Sequence, residues 1–91
     1  MNSNYKWKIF FKPAALDELK RLPNDIQKRI ADKMRFFALS ANIFQFANKL
    51  KDRKYGEYKF RVGHYRVIFD IIHGKKEILI LKIGKRDEVY K

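Results

Sequence analysis

Residues 57–83 read EYKFRVGHYRVIFDIIHGKKEILILKI, and this stretch decides the fold. Apolar and polar residues alternate through Tyr58-Lys59-Phe60-Arg61-Val62, the period of a strand with one face buried. Three strands are expected, over 57–62, 65–72 and 77–83. Gly63-His64 and His73-Gly74-Lys75-Lys76 join them at lengths that suit hairpins. Side chains two apart share a face of a sheet. Tyr58, Phe60 and Val62 therefore look one way, and Lys59 and Arg61 the other. On the middle strand Arg66 shares its face with Ile68 and Asp70. On the last, Leu79, Leu81 and Ile83 are expected on one face and Lys82 on the opposite one, followed by Arg86 if the strand runs on through Gly84.

Working outward, Tyr5-Lys6-Trp7-Lys8-Ile9-Phe10-Phe11 also alternates and predicts a first strand. Pro13 suits the first turn of a helix, where its missing N–H is not needed. Ala15, Leu16, Leu19 and Leu22 give that helix an apolar side, and Pro23 stops it. Asn24 is placed as N-cap of a second helix, with Asp25 at its positive end. Ile26, Ile30, Met34 and Phe37 form one stripe, read as core packing. Residues 40–48 show no clean period, and Lys49 to Lys54 leads into the sheet. The expectation is one domain over 1–91, an α+β fold of order β-α-α-β-β-β. Its two-helix hairpin packs on one face of a mostly antiparallel four-stranded sheet.

The chain has 91 residues, 46% of them hydrophobic and 15% aromatic, which is enough apolar material to fold around one modest core. No apolar run approaches the roughly 18 residues of a membrane span. No apolar segment follows the early lysines, so no signal peptide is expected. Without cysteine there is neither a disulfide framework nor a thiolate zinc site, and a cytoplasmic location is the default. Lys and Arg number 22 against 10 Asp and Glu, a net charge of +12. That excess predicts attraction to RNA, DNA, anionic lipid or an acidic protein.

The strand pattern gathers part of this charge. Lys59, Arg61, Arg66, Lys82 and Arg86 are expected to line one patch with Tyr90 at its rim. Lys49, Lys51, Arg53, Lys54 and Lys85 add further cations for RNA. Two readings are open: solvated residues guarding an exposed sheet face, or a site for a polyanion. Arginine at three positions favours the second, because guanidinium forks match phosphate bidentately.

These residues also carry a family resemblance over nearly the whole chain. Ala15-Leu16-Asp17-Glu18-Leu19-Lys20-Arg21-Leu22-Pro23, Asn48-Lys49-Leu50, the run from Tyr58 to Phe69, and Gly84-Lys85-Arg86-Asp87-Glu88-Val89-Tyr90 together resemble the RelE/ParE superfamily. Its members are toxins of type II toxin–antitoxin systems, and the C-terminal segment is closest to the RelE branch. The resemblance implies a ribosome-dependent mRNA interferase, an endoribonuclease that cuts mRNA in the ribosomal A site and so inhibits translation. It also implies a cognate antitoxin with an acidic or amphipathic segment, the ribosome and mRNA as partners, and no cofactor or metal. By position, Lys59, Arg61, Arg66, Arg86 and Tyr90 match the RelE active surface, with Arg61 where lysine is frequent.

Metal-free scission of this kind uses the 2′-OH of the RNA as nucleophile. His64 and His73 fall in turns that promise no pocket, so Lys59, crowded by like charges that favour its neutral form, is the better base. Arg61 stays protonated and cannot take that role. Arg66 would clamp the phosphate, Arg86 would face the leaving oxygen, and Tyr90 would stack on a base. The alternatives are a ParE-like inhibitor of gyrase and a catalytically inactive RNA-binding relative.

Overall fold

The computed structural model describes residues 6–41, 43–72 and 74–85. The order of elements is β1 (Lys8–Phe11), α1 (Pro13–Lys20), α2 (Asn24–Leu39), a 3-10 turn (Ile43–Gln45), β2 (Asn48–Lys49), β3 (Tyr58–Val62), β4 (Tyr65–Ile72) and β5 (Glu77–Lys85). They form one sheet of order β1-β5-β4-β3-β2, in which β1 runs parallel to β5 and every other pair is antiparallel. The α+β class and the two helices are as expected. The sheet has five strands rather than four, because the two residues of β2 add to the edge of β3. Among the described residues no helix is long and apolar enough to cross a membrane.

Pro13 opens α1, and Lys12 before it is extended, the conformation that a following proline favours. Pro23, rather than Asn24, holds the N-cap position of α2. Its extended backbone (ψ 147°) lets its carbonyl accept from the Gln27 N–H at 2.9 Å, and no side chain caps the helix. The Gln27 side chain instead donates to the carbonyls of Lys20 (3.1 Å) and Leu22 (2.8 Å), satisfying the end of α1. One residue thus locks the two helices at their junction.

The helices cover one face of the sheet. Ile30, Met34 and Phe37 of α2 and Ala15 of α1 meet Phe60, Val62, Val67, Phe69, Ile71, Ile78, Ile80 and Ile83 in the main core. Phe37 meets Phe60 edge-on at 4.4 Å between centroids, and Tyr58 stacks on Phe69 at 5.8 Å. The predicted stripe on α2 is therefore core. At the free edge of β5, past the end of β1, the Ile83 N–H donates to Glu18 Oε1 of α1 at 3.1 Å. A carboxylate thus satisfies a strand donor that no neighbouring strand reaches.

The face assignment on β5 needs correction. Its register against β4 shifts between Ile68 and Phe69: Phe69 pairs with Ile80 and Ile68 with Lys82, leaving Leu81 as an extra residue. Ile78, Ile80 and Ile83 consequently point to the helices. Leu81 points away, into a second small cluster with Leu50, Tyr55 and Ile68.

That second cluster exists because residues 50–57 fold as a strap over the sheet face opposite the helices. The Leu50 N–H donates to the Glu57 carbonyl (2.9 Å), the Glu57 N–H to Asp70 Oδ1 (2.9 Å), and the Ile71 N–H to Glu57 Oε1 (3.3 Å). Gly56 is the closest approach, with φ +146°. A Cβ there would meet Ile68 Cγ2 at 2.6 Å and Leu81 Cδ1 at 2.9 Å. Gly56→Ala is expected to destabilise the protein by about 2–4 kcal/mol, overpacking added to backbone strain. Gly74→Ala, at φ +83° with nothing within 4 Å of the added carbon, is expected to cost only the strain, about 1–2 kcal/mol. Equal losses in urea denaturation of the two variants would contradict this account of the strap.

Candidate nucleic-acid interface

The sheet face left free of helices carries the cations. Lys59 and Arg61 on β3 and Arg66 on β4 project there, set by the same alternation that sends Phe60, Val62 and Val67 into the core. The β3–β4 turn fixes their register. Gly63 has φ +59° and His64 does not share a positive φ, the pattern of a II′ hairpin loop that only glycine enters without strain. Arg61 and Arg66 consequently stand directly opposite each other, and Gly84 of β5, with no side chain, flanks Arg66 on its other side.

The strap turns this surface into a cleft of about 480 Å³. Asn48, Lys49, Leu50, Lys51, Asp52 and Tyr55 form one wall; Lys59, Arg61 and Arg66 form the other. Lys59 is half-buried and Arg61 exposed. Arg66 is 6% exposed, with its Nε and Nη1 atoms out of contact with solvent. Five cations thus face one carboxylate, Asp52, whose Oδ2 lies 3.8 Å from Lys54 Nζ. Like charges directly opposite on paired strands destabilise a sheet, and a buried guanidinium costs more than an exposed one. An arrangement that stability alone disfavours suits an anion that neutralises it.

Of the residues singled out from sequence, the cleft unites Lys49, Lys51, Lys59, Arg61 and Arg66. Arg53, Lys54 and Lys82, with Lys12, line a second cleft of about 380 Å³ on the β5 side of the strap. Lys82 therefore does not join Lys59 in one patch; the strap lies between them. Lys85 stands apart from both, because it pairs with Tyr65 and shares the helix side of β5 with Ile83. Arg86, Tyr90 and His73 lie outside the described residues. His64 is exposed in its turn. Sequence reading missed Asn48, which pairs with Lys59, and Tyr55, which walls both clefts. Nothing in the irregular pattern of 48–57 marks which of its side chains face the sheet.

Substituting Arg61 with threonine, a residue at home in strands, is expected to stabilise the fold by about 0.2–1 kcal/mol at low salt. The gain should fade as salt screens the pair. A loss of stability at low salt in thermal denaturation would contradict the repulsion inferred for Arg61 and Arg66.

A family model described as the ParE toxin of type II toxin–antitoxin systems, parDE, matches residues 9–90. No curated protein matches the sequence. Among solved structures, the isolated E. coli RelE toxin is 26% identical, with a TM-score of 0.71 over 92% of this chain and 90% of that one. A chain of the RelBE2 toxin–antitoxin complex from Mycobacterium tuberculosis is 24% identical, with a TM-score of 0.71 over 88% and 98%. The archaeal RelE–RelB complex from Pyrococcus horikoshii OT3 gives 24% and 0.71 over 90% and 97%. The last two speak for a shared fold. Matched almost end to end by the toxin model and folded like RelE, the chain belongs to the RelE/ParE superfamily of type II toxin–antitoxin toxins.

Proposed function

We propose that this toxin is a ribosome-dependent mRNA interferase, an endoribonuclease that cuts mRNA in the ribosomal A site through the RNA's own 2′-OH and without a metal ion. The observation that carries the reading is the buried Arg66 at the wall of a cleft it shares with Lys59 and Arg61. In the proposed reaction a 2′-oxygen attacks the adjacent phosphorus, a new P–O bond forms, and the bond to the 5′-oxygen breaks, the departing oxygen taking its proton from water. The 2′-proton passes to Lys59, a role that a guanidinium cannot take. Arg61 and Arg66 clamp the phosphate and take up the charge that grows on its oxygens. Arg86 and Tyr90 are assigned to the leaving oxygen and to stacking on a base. A cognate antitoxin with an acidic or amphipathic segment would cover this surface, in keeping with the toxin–antitoxin complexes among its structural neighbours.

The family match is to ParE toxins, which favours a second reading in which the target is gyrase and no RNA is cut. In vitro translation of a defined message separates the two. Discrete mRNA ends at the position of the ribosome are expected with the wild-type protein. Arg66→Ala and Arg86→Ala should each abolish them while melting cooperatively. Naked RNA should be cut poorly, because ribosome and message supply the alignment that a lysine base needs. An intact message alongside gyrase-dependent DNA damage would exclude the interferase.

A further inference from the structure

The two cationic clefts share a wall. Tyr55 lines both, half-buried and packed against the cluster of Leu50 and Ile68. Gly56 beside it lies so close to the sheet that an added Cβ would meet Ile68 Cγ2 at 2.6 Å. Lys54 Nζ lies 5.0 Å from the ring centroid. Beyond the ring, Lys12, Arg53, Lys54 and Lys82 face the second cleft, where Asp70 is the one carboxylate in the lining. That carboxylate already accepts the Glu57 N–H, and Asp52 on the near side lies against Lys54. Each acid has a local partner, so both clefts keep a cationic excess.

A cationic cleft, an aromatic ring and a second cationic cleft in succession repeat the chemistry of a single strand of nucleic acid: phosphate, base, phosphate. Every base offers a π-face to such a ring, and a single strand can splay its bases into separate clefts where a stacked duplex cannot. An acidic peptide would satisfy the cations and leave the ring without a flat partner.

We propose that the second cleft seats the continuation of the RNA strand whose scissile phosphate lies at Lys59, Arg61 and Arg66, with one base stacked on Tyr55 at the crossing. The inference rests on the nuclease reading of the first cleft, yet it concerns binding and is measured without catalysis. Fluorescence anisotropy of labelled oligouridylate across a salt series provides the test. The Lys12→Ala/Lys82→Ala double variant should flatten the slope of log affinity against log salt by about 1.4, at about 0.7 per lost phosphate contact on a single strand. Tyr55→Leu, which keeps an apolar anchor, should weaken binding by about 5- to 150-fold with the slope unchanged, and Tyr55→Phe should restore it.

An unaltered slope in the lysine pair, with a flattened one in Lys59→Ala/Arg61→Ala, would confine the RNA to the first cleft and overturn the proposal. Because Lys12 is exposed and Lys82 half-exposed, that result stands whatever Tyr55→Leu does to the fold. Polyglutamate bound as tightly as oligouridylate, with the same dependence on Tyr55, would equally overturn it by pointing to a protein partner. Should the wild-type protein cut no message during translation while these slopes behave as stated, the nuclease reading falls and the RNA track remains.

Discussion

β4 is buried on both faces, and the remaining structure depends on that constraint. Its odd-numbered residues Val67, Phe69 and Ile71 meet the helices. Its even-numbered residues divide three tasks on the other side. Arg66 lines the cleft, Ile68 anchors the strap and Asp70 holds the strap's end through the Glu57 N–H. A slip of one residue in its pairing would exchange the two sets, placing an arginine in the core and a phenylalanine in the cleft. The long ladder to β5 and the glycine-led turn to β3 guard against that slip from both sides.

The charged face is held together by the uncharged one. Bringing Arg61 against Arg66 works against folding, and the offset comes from the aromatic layer behind them, Phe37, Phe60, Phe69 and Tyr58, within a side chain's length of the same strands. Concentrated charge at a site and dense packing directly beneath it are two sides of one alternating sequence.

That alternation explains what could be read from the sequence alone. Residues 58–62 and 65–72 spell out their two faces, because a half-buried strand must repeat every second residue. The β3–β4 hairpin and the grouping of Lys59, Arg61 and Arg66 follow, and the α2 stripe is legible from its own helical period, whereas the two-residue β2 is not. The orientation of β5 does not, because a bulge at Leu81 leaves no local trace; it is imposed by what Ile68 and Phe69 find across the ladder. The separation of Lys82 from Lys59 was equally illegible, since the strap between them is fixed by one hydrogen bond donated by Glu57, one accepted by its side chain, and a close approach at Gly56 rather than by any period. Asn24 lost the cap of α2 to Pro23 because proline's own backbone already supplies the extended conformation needed there.

The parallel pairing of β1 with β5 has a consequence for how the molecule comes into being. Lys8 meets Glu77, so β1 stays without its partner strand until β5 is made. β5 begins at Glu77, directly after the turn that ends β4 at Ile72, so the β3–β4 hairpin, marginal in water by itself, gains its third strand soon after it is made, whereas β1 has long been without a partner. Contacts so distant along the chain form late and slowly. The strands that bear Arg61 and Arg66 are therefore consolidated only when β5 has joined them to β1.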